Sequence, residues 1–280
     1  FDSARGASGK RVTMASAVAL LRRCRDAMGP LLTATGARVC DALERKGLHP
    51  LMMPLAEKQQ GIILGLLQWP LFVPSATEKR SDENLMLVEM SRGSYLVKPC
   101  GTPWQFSRRL AVESDAHDAE KASEILALAS DVCQQLEPGS PPYVAGAFRQ
   151  SKLRLDQFLL LRVGPFHDAW EALAQQQLRN GQQTAALIAG ERASARNPGW
   201  GCGAWLQSRL MEQLGRKEER RDLALAALEA PFWTLGAPLD EVQAAAELSH
   251  VSDVRALIRE MELKARARQG LPPPTPQEMA

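Results

Sequence analysis

Apolar positions recur at helical spacing along most of this chain, and the departures from that pattern are local. Val18, Leu20, Leu21, Cys24 and Met28 share one broad face, and Gly29-Pro30 should end that helix. Leu31, Leu32, Ala37, Val39, Cys40 and Leu43 predict a second helix that runs to Lys46, with Gly47 after its last turn. Residues 61–74 form a nearly unbroken apolar run that Pro70 interrupts. It reads as a buried core helix, or alternatively as a segment lying against a membrane. Leu85 to Val97 breaks the pattern: two apolar stretches flank Ser91-Arg92-Gly93 and predict a β-hairpin. Thr102-Pro103-Trp104-Gln105 carries the signals of a capping box with proline in the first helical position. The helix it opens should turn Trp104, Phe106 and Leu110 inward, and a longer one follows over 118–136. Pro138-Gly139-Ser140-Pro141-Pro142 is the strongest boundary signal. Beyond it helices are predicted at 143–151, 155–162, 167–180, 182–196, 201–214, 217–229, 239–248 and 252–268.

Within that helical half a period of 34 residues stands out, the length of a tetratricopeptide (TPR) helical hairpin. With His167 as position one, Trp170, Leu173, Ala174, Gly181, Ala186, Ala193 and Pro198 fall where such a repeat needs them. The large residues would fill the groove between two helices, the alanines would let backbones approach, Gly181 would turn the chain and Pro198 would stop it. Gly215 and Ala227 repeat Gly181 and Ala193 one period on, while Trp205 falls one position out of register. The fold class is therefore mostly α, a TPR-like α-solenoid of stacked hairpins with a small β-hairpin near 85–97. Four regions follow: 1–84, an N-terminal helical or anchoring region; 85–137, the β-hairpin and two helices; 143–269, the repeats; and 270–280, a Pro-rich tail.

Composition narrows the function classes. The chain has 280 residues and is 45% hydrophobic and 24% charged, which supports a real core and argues against wholesale disorder. A net charge of +2 gives no global polycation for nucleic acid. No uninterrupted apolar stretch is long enough to span a bilayer. The five cysteines and four histidines are scattered without metal-ligand spacing, so no metal or other cofactor is expected. Residues 3–25 hold six Lys and Arg and no acid, which reads as the remnant of an organellar transit peptide or as a basic surface helix. Gly199-Trp200-Gly201-Cys202-Gly203 mimics a phosphate loop but follows a helix where a strand is needed. Asp115, His117 and Asp118 offer a carboxylate–histidine group without a nucleophile, better placed at a helix start. No catalytic residues are assigned.

Two phrases, Leu159 to Ala174 around Arg162-Val163-Gly164-Pro165-Phe166, and Pro231-Phe232-Trp233-Thr234-Leu235-Gly236, resemble the TPR-containing chloroplast proteins related to the low photosystem II accumulation family. That resemblance covers roughly residues 85–250. It implies a non-catalytic protein at the chloroplast thylakoid surface, on the stromal side, that binds photosystem subunits or light-harvesting proteins as an extrinsic subunit or assembly factor. The partner would be photosystem I or photosystem II, with pigment contact open and His49 and His167 the histidines to inspect. An organellar TPR adaptor unrelated to photosynthesis is the alternative. The candidate partner contacts are Asp168, Glu171 and Gln175 on the groove face, together with Trp69, Phe72, Trp200 and Trp233. The two carboxylates there fit a basic or apolar partner better than a C-terminal carboxylate.

Overall fold

The computed structural model describes residues 14–67, 86–117, 121–248 and 263. Among them are ten α-helices and one five-stranded antiparallel sheet in the order β1-β2-β3-β4-β5. The strands are β1 (Arg38–Val39), β2 (Met52–Glu57), β3 (Ile62–Leu67), β4 (Met86–Ser91) and β5 (Lys98–Pro99). Both edge strands are two residues long and β5 contains a proline, so neither offers a long row of unpaired backbone groups. The chain divides into two units. One comprises Phe1–Lys46, Pro50–Val88 and Gly101–Gln150, and the other Gly47–His49, Glu89–Cys100 and Ser151–Ala280.

In the first unit α1 (Met14–Ala34) runs through Gly29-Pro30, where a stop was expected. Pro30 forgoes one backbone bond on the exposed side, while Met28, Leu31 and Leu32 on the other side are fully buried and hold the helix together. The helix predicted to reach Lys46 does not form. Beyond Ala34 the buried positions Ala37 and Cys40 flank the two-residue strand β1, and Leu43 is exposed in a turn that the Asp41 carboxylate closes on the Leu43 N–H at 2.8 Å. The apolar run at 61–74 is also corrected where it is described. Residues 62–67 are a strand, paired with β2 across a turn in which the Lys58 N–H meets the Ile62 carbonyl at 2.7 Å. A six-residue apolar stretch buried on both faces has no period by which to distinguish strand from helix. Residues 68–74, with Trp69 and Phe72, lie outside the described residues.

The capping box forms as read. Gln105 N–H donates to Thr102 Oγ1 at 3.3 Å and Thr102 N–H to Gln105 Oε1 at 3.0 Å, opening α2 (Pro103–Ala116). Helix α3 (Ala122–Leu136) buries Ile125, Ala129 and Val132 and packs on both α1 and α2. Asp115 lies at the end of α2 and not at a helix start. Its buried carboxylate accepts from the Tyr143 hydroxyl at 2.6 Å and the Gly146 N–H at 3.0 Å, and Arg149 Nη2 reaches its carbonyl at 2.8 Å. These bonds tie 143–149 to α2, so the first unit runs past the Pro-rich turn to Gln150.

The second unit takes β4's last residues, β5 and the helical half. The hairpin predicted over 85–97 is only partly present: Ser94–Val97 is not strand, because the Val97 N–H donates instead to the Trp233 carbonyl at 2.9 Å. The helices are α4 (Ala147–Ser151) at the junction, then α5 (Leu155–Arg162), α6 (His167–Arg179), α7 (Gln183–Arg196), α8 (Gly201–Gln213), α9 (Lys217–Glu229) and α10 (Leu239–Ala245). Each of α5 to α10 packs on the next. Helices α6 and α8 begin 34 residues apart, as do α7 and α9, and Gly181 and Gly215 make the intervening turns with φ of 73° and 72°. The helix predicted over 252–268 lies outside the described residues apart from Leu263.

Helices α7 and α8 cross at small residues. A Cβ on Gly203 would stand 2.5 Å from the Ser194 Cα, and one on Gly190 would stand 2.9 Å from Leu210 Cδ1. Of the glycines that mimic a phosphate loop, Gly203 is thus a contact point of this helix crossing, Gly201 lies against Leu235 and Ala227, and Gly199 makes a turn with φ of 80°. Gly203→Ala should force α7 and α8 apart and lower stability by about 1–3 kcal/mol. Urea unfolding against the parent chain checks this.

Candidate functional site

The second unit's helices bury two apolar clusters. In one, Trp170 and Ala174 of α6 meet Ala189 and Ala193 of α7 and Leu206 and Leu210 of α8, with Leu173 packed at its margin. In the other, Trp205 of α8 meets Ala224, Ala227 and Leu228 of α9 and Val242 of α10. Ala186 is fully buried, while Gly181 and Pro198 are exposed at their turns. Trp170 and Trp205 therefore occupy corresponding places in successive hairpins despite the one-residue slip.

The α6 face that carries the groove positions is polar and half-buried. His167, Glu171 and Gln175 lie one helical turn apart, and Glu171 Oε1 accepts from Arg209 Nη2 of α8 at 2.7 Å. Arg209 lies 38 residues on, one repeat plus one turn, so the ion pair links equivalent faces of two hairpins. Both side chains are about one-third exposed, and the pair orients more than it stabilises. Asp168 is exposed beside it. His167 Nδ1 and Gln175 Nε2 are buried without a hydrogen-bond partner among the described residues. Burial holds the His167 imidazole below its ordinary 6.5, against the pull of Glu171 and Asp168 and with that of Arg209 and Lys98. Burial also pushes the Cys202 thiol up to about 12. Burial thus favours the neutral imidazole of His167 on α6 and the protonated thiol of Cys202 on α8. Among the described residues no group of His, Cys, Asp and Glu could hold a metal ion.

The second structured feature is the corner between α9 and α10. The first N–H of α8, on Gly201, has no cap from its own neighbours and donates to Thr234 Oγ1 at 3.0 Å, while Thr234 donates to the Pro231 carbonyl at 2.7 Å. Trp233 receives His49 at a ring-centroid distance of 4.6 Å and the edge of Trp200 at 5.6 Å. Burial lowers the His49 pKa. Trp200 and Trp233 are 4% and 7% exposed, so these two residues fill the unit's own interior. An apolar residue count does not distinguish an interior tryptophan from an anchoring one; the corner that swallows them closes only in three dimensions. Phe232 is the exception in the motif, exposed beside Tyr95. Sequence reasoning missed Tyr95, which sits in the stretch taken for a hairpin strand.

Comparison with known proteins places these features in a family setting. The family description "PAB N-terminal" matches residues 13–162 and "PAB middle domain" matches residues 167–252, so the gap between them falls at the start of α6. A curated relative in Arabidopsis thaliana, "Protein IN CHLOROPLAST ATPASE BIOGENESIS, chloroplastic", is 27% identical over 220 residues. The match covers 78% of this chain and 62% of the relative, so the chain spans less than two-thirds of that protein's length. No solved structure matches. These matches take the place of the resemblance to the low photosystem II accumulation proteins: Pro231 to Gly236 falls within the middle-domain match, and Leu159 to Ala174 spans the gap at 163–166 between the two matches.

Two outcomes follow from the geometry. Thr234→Val leaves the Gly201 N–H buried and unpaired and should cost about 1–3 kcal/mol in a denaturation curve, whereas Thr234→Ser keeps the hydroxyl and should stay near the parent. The native state resists protonating His167, so stability is intact above the ordinary histidine value of 6.5 and is lost as pH falls from there through the lower native value. His167→Asn should flatten that slope in stability measured from about pH 7 to pH 5, leaving the share that His49 contributes by the same sign.

Proposed function

The chain belongs to the PAB family, and from that premise we propose that it is an assembly factor for the chloroplast ATPase, acting by binding and not by catalysis. The carrying observation is the pair of PAB matches over residues 13–162 and 167–252, together with the Arabidopsis relative named for chloroplast ATPase biogenesis. The physical character of the second unit supports this reading. Its helices pack their apolar residues on one another, and burial favours the neutral forms of His167 and Cys202.

The partner is a subunit or subcomplex of the ATPase on its way to assembly. That relative's name gives no support to photosystem subunits or light-harvesting proteins, which the sequence resemblance had implied. The 34-residue spacing of α6 to α9 supports a TPR-like mode of hairpin stacking, in which side chains on successive hairpins form one recognition face. Glu171 and Arg209 sit on that face. Residence in the chloroplast, attached peripherally to the stromal side of the thylakoid, belongs to the same proposal, as does function without a cofactor.

Expression of this protein in Arabidopsis lacking the relative tests the proposal. ATPase abundance, measured by native electrophoresis and by ATP hydrolysis in thylakoids, should recover by several-fold while photosystem levels stay unchanged. Recovery of a photosystem with no change in ATPase, or no recovery with the protein stably present in the chloroplast, would overturn it.

A further inference from the structure

Three helices of the second unit end in the same hydrogen-bonded turn. After α6 the Gly181 N–H reaches the Leu178 carbonyl at 2.9 Å and the Gln182 N–H the Gln177 carbonyl at 2.8 Å. After α8 the Gly215 and Arg216 N–H groups reach the Glu212 and Met211 carbonyls at 3.0 and 2.9 Å. After α10 the Glu247 and Leu248 N–H groups reach the Ala244 and Gln243 carbonyls at 3.1 and 2.8 Å. Each turn passes through one left-handed residue, Gly181, Gly215 and Glu247, with φ of 73°, 72° and 61°. Helices α7 and α9 end differently: the Asn197 and Ala230 N–H groups return only three residues, to the Ser194 and Ala227 carbonyls. The shared turn is therefore the one inside a hairpin, between its first helix and its second. Glu247 adopts it without being glycine, so the surrounding packing outweighs the cost of that conformation.

Helix α10 thus ends as a first helix, and its seven residues are too few to stand alone. The second helices α7 and α9 begin at Gln183 and Lys217, and the same step again falls on Val251. The positions buried in both, Gly190 with Ala224 and Ala193 with Ala227, then fall on Ile258 and Met261. At helical spacing Val251, Val254, Leu257, Ile258 and Met261 share an arc of about 120°, with Asp253, Arg255, Arg259, Glu260 and Glu262 outside it. Leu263 falls opposite that arc, and it is helical and 39% exposed. We propose that residues 251–262, which lie outside the described residues, dock on α10 as the second helix of a third hairpin, with Ile258 and Met261 turned inward. A helical hairpin buries its apolar face only by stacking on a neighbour. Helix α10 already gives Val242, Ala245 and Ala246 to the cluster around Trp205, and the docked segment extends that cluster by one layer. The occupant of this face is then the chain itself and not a partner protein, whatever complex the chain assembles.

Hydrogen–deuterium exchange of the purified full chain, resolved by peptide, tests this. Amides of 254–261 should exchange at least roughly tenfold more slowly than in a free peptide of the same sequence. Ile258→Asp with Met261→Asp should abolish that protection and speed exchange in α10 roughly tenfold, with α6 and α7 unchanged. Leu263→Asp, on the opposite side, should match the parent. Should the double variant loosen the whole chain, Ile258→Ala carries the same comparison, with a smaller rise confined to α10 and 251–262. Absence of protection in the parent, unchanged exchange of α10 in the Ile258 variants, or an equal effect of Leu263→Asp would overturn the proposal. So would protection that is lost on dilution as a dimer dissociates, which would make a second copy the occupant. None of these outcomes alters the ATPase recovery expected in Arabidopsis.

Discussion

The crossing of α7 and α8 leaves no room for a side chain at residue 203, because the backbone of Ser194 occupies that space. From this close approach the arrangement of the second unit follows. With Gly190, Ala193 and Gly203 at the crossing, the two helix backbones come near enough for Trp170, Leu206 and Leu210 to close a single apolar cluster across α6, α7 and α8. The same small residues set how far one hairpin advances on the last. A bulkier contact would push α8 from α7 and carry Arg209 away from Glu171, which it reaches at 2.7 Å. Non-directional packing thus fixes the position of a directional contact.

The corner at 231–236 does the equivalent work at the next junction. A helix start buried away from water needs a partner for its first N–H groups, and α8 obtains one from a hydroxyl 33 residues further along the chain. That bond, the Trp233 carbonyl on Val97 and the ring contacts of His49 and Trp200 gather three separated stretches of the second unit around one turn. A corner over-determined in this way can hold Phe232 and Tyr95 at the surface in a defined geometry.

Legibility in the sequence tracked the range of the forces involved. Helices α6 to α9 were readable because the period, the turn glycines and the alanines at crossings are local signals repeated 34 residues apart. The capping box at Thr102 was readable for the same reason, since its donor and acceptor are three residues apart. The strand at 62–67 was not, because a short run buried on both faces carries no period. The extent of α1 was hidden by Pro30, whose cost the burial of Met28, Leu31 and Leu32 outweighs. Trp200 and Trp233 read as surface anchors because nothing local records that His49, Val97 and Thr234 converge there. Asp168, Glu171 and Gln175 were singled out from repeat position alone; Arg209, the partner of Glu171, was not, because an ion pair between hairpins leaves no mark in either one.

An assembly factor engages unfinished complexes and leaves the finished one, and that distinction is directly measurable. Affinity isolation of the tagged protein from chloroplasts, followed by native separation and identification of its companions, should place it with unassembled ATPase subunits and not with the intact ATPase. Stable co-migration with the mature ATPase would mark a resident subunit, and co-migration with a photosystem would contradict an ATPase role altogether.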